Sequence, residues 1–78
     1  MFVEVITPEK KLFSGESTYI NLPGTKGSFG MLNNHAPIVS TLQKGKLKIV
    51  EKGGKEVLFD INGGVIESSK NKVIILAE

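Results

Sequence analysis

One histidine, eight carboxylates and three glycines at three-residue spacing are the groups of this 78-residue chain that could carry chemistry. A metal site needs several ligands and a nucleophilic site needs a base held by a third group. His35 has neither: the chain contains no Cys, and the nearest acid before His35 is Glu16. A hydrogen-bonded loop histidine is therefore the expectation. Gly24, Gly27 and Gly30 form GxxGxxG, which fits neither the dinucleotide fingerprint nor the phosphate loop with its closing Lys-Ser/Thr. Both of those motifs also need a strand-to-helix switch, and no helical pattern follows Gly30. Glu9, Glu16, Glu51, Glu56 and Glu67 are scattered among lysines with no spacing that marks an acid and base pair. Ser14 stands in Phe-Ser-Gly-Glu without the nucleophile elbow, and reads as a turn residue. No catalytic residue, cofactor site or metal site is expected.

The elements that would hold these residues are strands. Nine glycines and three prolines leave no 11-residue window with a helical apolar period. Candidate strands cover residues 2–6, 16–22, 46–50, 56–61, 65–67 and 72–77, with short pieces near 29–32 and 38–42, all rich in β-branched or aromatic residues. Val57, Phe59 and Ile61 alternate with Glu56, Leu58 and Asp60, and Ile20 and Leu22 alternate with Tyr19 and Asn21. That is the pattern of sheets covered on one side, so the fold class is all-β: a small flattened β-sandwich of two packed, mostly antiparallel sheets. Residues 73–77 are apolar on both faces, which makes the last strand either central or covered by a partner. Gly53-Gly54 is expected as a two-residue hairpin loop and residues 69–71 as the next reversal. Asn62-Gly63-Gly64 is expected as a bulge or sharp bend at which another backbone approaches closely.

Length and composition limit the rest. Seventy-eight residues make one domain, 1–78, with a thin core, and without Cys it must be held by apolar burial or by a partner. No apolar run approaches the roughly 20 residues of a membrane span, and no signal peptide is expected. Ten lysines, no arginine and a net charge of +2 disfavour bidentate contacts to phosphate or guanine, so no nucleic-acid partner is expected. Lys44, Lys46 and Lys48 alternate with Gly45, Leu47 and Ile49 and read as a solvated face.

Three motifs in order carry a resemblance. They are VITPEKKLFSG at 5–15, PGTKGSFGMLNNHAPIVS at 23–40, and GGVIES with NKVIILAE between 63 and 78. The chain resembles, nearly end to end, the N-terminal domain of the ATP synthase epsilon subunit. The resemblance implies a non-catalytic central-stalk subunit at the cytoplasmic face of the bacterial inner membrane. Such a subunit is peripheral, binds the gamma subunit and the ring of c subunits, and couples proton- or sodium-driven rotation to ATP synthesis.

By the same resemblance Thr7, His35 and Ser40 would face gamma, and the loop of Lys26, Gly27, Ser28, Phe29, Gly30 and Met31 would face the c-ring. Ser28 stands where many relatives carry an acid, and Asn33 where they carry Pro. Typical relatives continue past LAE into a helical hairpin that can inhibit hydrolysis, and residues 1–78 are expected to provide no such hairpin. The competing reading is a small all-β module that binds protein or RNA through the lysine-rich hairpin at 44–55. It wants aromatics interleaved with the basic residues for base stacking, and the one Tyr and four Phe fall mostly at core-like positions.

Overall fold

The computed structural model describes residues 1–78, and every regular element is a β-strand: β1 Phe2–Ile6, β2 Lys11–Gly24, β3 Gly27–Leu32, β4 Ile38–Glu51, β5 Glu56–Ser69 and β6 Lys72–Ala77. The strands run in the order β1-β6-β5-β4-β2-β3, and β1 also pairs with β2. That extra pairing closes five strands into a flattened barrel and leaves β3 attached outside the ring. Only β1 and β6 are parallel; the other pairs are antiparallel. The molecule measures 27 × 24 × 18 Å.

The expected sandwich is present, but its two layers are continuous. β2, β4 and β5 each have 14 residues, long enough to cross from one layer into the other. One layer holds β3 with the later part of β2, the later part of β4 and the start of β5. The second holds β1 and β6 with the remaining parts of those strands. Strands read as separate, 38–42 with 46–50 and 56–61 with 65–67, are therefore single bent strands.

The bend is visible as a change of side-chain phase. In β4 the buried residues are Leu42, then Leu47 and Ile49; in β5 they are Ile61 and Gly63, then Ile66 and Ser68. Each strand thus exchanges its inward parity in the middle, which carries it from one wall of the core to the other. Pairing of β4 with β5 keeps one register throughout, from Ile38↔Ser68 to Val50↔Glu56. The Asn62-Gly63-Gly64 segment is accordingly a bend without a bulge. Gly63 and Gly64 hold φ of 139° and 151°, a region that residues with a Cβ rarely enter. A Cβ on Gly64 would also overlap the Leu76 carbonyl oxygen and lie 3.1 Å from Ala77 Cα. The close backbone approach expected there occurs.

Two local expectations need correction, and a third is met and sharpened. Residues 11–15 are strand, not turn: Ser14 pairs with Glu4 and Gly15 with Val3, because the early part of β2 is held by β1. The β4–β5 connection is longer than the two glycines. It spans residues 52–55, closed by Gly54 N–H donating to Glu51 C=O at 2.8 Å and Glu51 N–H to Lys55 C=O at 2.7 Å. The 69–71 reversal is a tight two-residue turn, with Ser69 opposite Lys72 and both Lys70 (φ 53°) and Asn71 (φ 60°) left-handed.

The core is one cluster of apolar residues from all six strands, with Val3, Val5, Ile20, Leu22, Leu47, Ile49, Ile66, Val73 and Ile75 fully buried. Phe13 and Phe59 close one side, their rings 6.3 Å apart and edge to face.

Candidate interaction face

The outer face of the β1-β6-β5-β4 layer is apolar where an ordinary sheet would be polar. Register places Ile6 beside Leu76, Leu76 beside Val65 and Val65 beside Thr41. The next row runs Glu4, Ile74, Glu67, Val39. Leu76 is 54% exposed, Val65 39% and Val39 72%. β6 is thus central in its layer, between β1 and β5, which is the first of the two conditions named above, and it still shows Leu76 to solvent. Large exposed side chains that share one face mark an interaction surface rather than random scatter.

Thr7 and Ser40 each line a hollow that Val65 also lines. Thr7 borders an apolar concavity of about 440 Å³ that Ile6, Pro8, Val65, Leu76 and Ala77 also line. Its backbone N–H and its Oγ1 both donate to Lys10 C=O, at 2.9 and 3.0 Å, which fixes the turn between β1 and β2. Ser40 lines a second groove together with Val65, Val39, Thr41, Phe29 and the hairpin tip. The structure therefore brings Thr7 and Ser40 to two hollows that share a wall. His35 lines neither hollow and sits in the connection before β4. Its Nδ1 is 2.6 Å from Ala36 C=O, a contact that a protonated Nδ1 makes by donating. Nε2 is shielded from solvent without a partner.

The segment from Lys26 to Met31 is not an open loop. Gly24 pairs with Gly27, Pro23 with Ser28, Leu22 with Phe29, Asn21 with Gly30 and Ile20 with Met31, so it forms the tip and second strand of a β2–β3 hairpin. Lys26, Gly27, Ser28 and Gly30 are exposed, Phe29 is half-buried, and Met31 is 5% exposed within the core. Met31 offers a partner little beyond its backbone. Ser28 Oγ donates to Asn21 Oδ1 at 3.3 Å.

Asn33 ties the turn that precedes His35. Its Oδ1 accepts from the Met1 ammonium, which also donates to Ser17 C=O at 2.9 Å. Beside it, Asn34 N–H donates to Asn71 Oδ1 at 2.8 Å.

Electrostatics on the outer face centre on Glu4. Lys11 Nζ is 2.6 Å from its carboxylate and Lys72 Nζ 3.9 Å. The Lys11 hydrogen bond holds the Glu4 carboxyl below its ordinary value; desolvation opposes it, and the charges of Lys11 and Lys72 add to the lowering. A depressed native value means that the contribution is fully present above the unfolded value and is lost as pH falls through the native one. Glu4→Gln is expected to be less stable than the parent at pH 7, with the gap closing below about pH 4. Thermal melts of both proteins from pH 3 to 7 check this; a gap that stays constant across the series contradicts it.

The other layer carries the lysines. Lys46 Nζ is 2.9 Å from Asp60 and Lys48 Nζ 3.5 Å from Glu56. Two of the three alternating lysines are thus matched by cross-strand acids, as a solvated face would be. No cluster of His, Asp or Glu is placed to hold a metal ion. No helix is long and apolar enough to cross a membrane.

Resemblance, and not residue chemistry, singles out Thr7, His35 and Ser40. Leu76, Val65, Val39 and Ile74 were missed as site residues, and the one signal for them was a last strand apolar on both faces.

Comparison with known proteins adds a family and a fold. The family described as ATP synthase, Delta/Epsilon chain, beta-sandwich domain matches residues 1–78. The ATP synthase epsilon chain of Caulobacter vibrioides is 43% identical over 74 residues, covering 95% of this chain and 85% of that one. The epsilon chain of Neisseria meningitidis serogroup C is 42% identical over 79 residues, covering all of this chain and 56% of that one. The chain therefore spans little more than half the length of the Neisseria relatives. Among solved structures, a chain of the Tetrahymena thermophila mitochondrial ATP synthase central stalk and c-ring superposes with TM-score 0.79 at 25% identity, over 99% of this chain and 62% of that one. A chain of the Euglena gracilis mitochondrial ATP synthase superposes with TM-score 0.89 at 23% identity, over 96% of this chain and 48% of that one, and shares the fold.

Proposed function

The chain belongs to the ATP synthase delta/epsilon family of β-sandwich domains, and from that premise we propose that it works as a non-catalytic epsilon subunit of the central stalk. In this reading it binds the gamma subunit through the outer face of the β1-β6-β5-β4 layer. It rests on the c-ring through the β2–β3 hairpin tip, and turns with both at the cytoplasmic face of the membrane. The observation that carries the gamma contact is the apolar row Ile6, Leu76, Val65, with Thr7 lining one hollow against it and Ser40 the neighbouring one. Each of these apolar side chains gains about 25 cal/mol per Å² when a partner removes it from water, and a thin sandwich gains stability from a partner that binds only its folded state. His35, three residues before β4, lies near that end of the face in sequence. Lys26, Gly27, Ser28, Phe29 and Gly30 form the hairpin tip, and Met31 stiffens it from within the core.

Nothing in this role asks for chemistry. The relatives compared are epsilon chains and not the catalytic chains of the enzyme. The chain's work is mechanical: a rigid barrel with a closed ring of strands transmits torque between two partners without a hinge. The test is reconstitution. Membranes whose ATP synthase has been stripped of its epsilon chain, then supplied with this chain, are expected to regain ion-gradient-driven ATP synthesis. A folded chain that leaves the stripped membranes uncoupled would contradict the reading.

A further inference from the structure

The two sides of β4 are unequal over residues 38–41. Toward β5 these residues are paired, Ile38↔Ser68 through Thr41↔Val65. On the opposite side β2 pairs with β4 no earlier than Leu42, and one further bond, Thr25 N–H to Thr41 C=O at 3.2 Å, ends the contact. The Thr41 carbonyl therefore points away from β5. Val39, two residues earlier on the same strand, directs its N–H and C=O the same way, where no strand lies. Its side chain is 72% exposed.

Against this edge opens a groove of about 390 Å³, lined among others by Thr25, Phe29, Ser40, Thr41 and Val65. It is closed at one end by the Thr25 and Thr41 hydroxyls, 2.9 Å apart. Natural sheet edges are usually blunted by Lys, Pro or a bulge. Residues 38–41 are Ile, Val, Ser and Thr, and they pair with β5 in one unbroken register.

We propose that this groove receives an extended segment of the gamma subunit, which adds as a further strand to β4 at Val39. The inference rests on the stalk reading above and specifies its contact. An unpaired donor and acceptor on one strand residue select an occupant that offers a backbone in return, which is the recognition mode of strand addition. The walls formed by Phe29, Val39 and Val65 suit apolar side chains on that segment, and the lining hydroxyls suit its polar ones. Val65 belongs both to the groove and to the outer apolar row, so one partner covers the two without a break.

The test is amide hydrogen exchange on the whole chain, free and in complex with gamma, together with two variants. The Val39 amide is expected to exchange fast in the free chain and at least about tenfold more slowly in the complex. Val39→Pro removes only the outward N–H, a position that tolerates proline on an edge strand, and is expected to bind gamma about tenfold more weakly, the effect of one backbone bond. Val39→Thr keeps the N–H and is expected to bind within about threefold of the parent. A complex that forms with unchanged exchange at Val39 would overturn the strand addition while leaving the stalk reading intact. So would a homodimer of the chain that protects Val39 without gamma. Failure of the parent chain to bind gamma at all would overturn the stalk reading itself.

Discussion

Gly64→Ala is expected to lose about 3 kcal/mol or more of folding stability, which lowers the melting temperature by roughly 12–24 °C in a domain of this size. Two independent penalties meet at this residue. Its φ of 151° is strained for a side-chain-bearing residue. Its new methyl would also overlap the Leu76 carbonyl oxygen, a backbone atom of a central strand that cannot swing aside as a side-chain tip can. A chain of 78 residues has roughly 4–12 kcal/mol of stability in total, so the variant loses between about a quarter and three quarters of it. Gly53→Ala is the control, because Gly53 also has positive φ, 105°, but faces open space; it is expected to lose only about 1–2 kcal/mol. Urea unfolding of the two variants beside the parent decides the matter. A Gly64→Ala loss no larger than that of Gly53→Ala would mean that the bend in β5 does not depend on the close approach to β6.

The second large effect concerns binding rather than folding. Leu76→Glu is expected to weaken the complex with gamma about 100-fold, equivalent to about 2.7 kcal/mol, because it places an unpaired carboxylate in the middle of the apolar row. The free chain should be nearly unaffected, within about 0.5 kcal/mol, since Leu76 is already 54% exposed there. Leu58 supplies the contrast: it is 59% exposed but lies opposite Lys48 in the other layer. Leu58→Glu is expected to bind gamma within about twofold of the parent. Titration calorimetry with the three proteins measures both. Equal weakening by the two substitutions would remove the assignment of gamma to one face.

What could be read in the sequence follows from how local each signal is. β1 and β6 are found where segments rich in apolar and β-branched residues place them, 2–6 and 72–77. Their boundaries lie at turns built from Thr7, Lys70 and Asn71, whose effect is local. β4 and β5 were read as two pieces each, because glycines at 45, 63 and 64 break the alternation. The structure uses those glycines to continue the strands through a change of phase, and only the partner strand shows that the register survives. Residues 11–15 failed for the converse reason: Ser14 and Gly15 have turn-like chemistry, and pairing with β1 overrides it. The site is legible to a similar degree. The double-sided apolar character of β6 announces a strand that is central or covered by a partner; β6 is central, and Leu76 is its exposed member. That Val65 and Val39 join it is a fact of register between β4, β5 and β6, which no single segment encodes.

The most direct test of the stalk assignment is size-exclusion chromatography with mass measurement on this chain mixed with purified gamma subunit. The account predicts a single species with one copy of each chain. A folded, β-rich chain that elutes apart from gamma at micromolar concentration would contradict it.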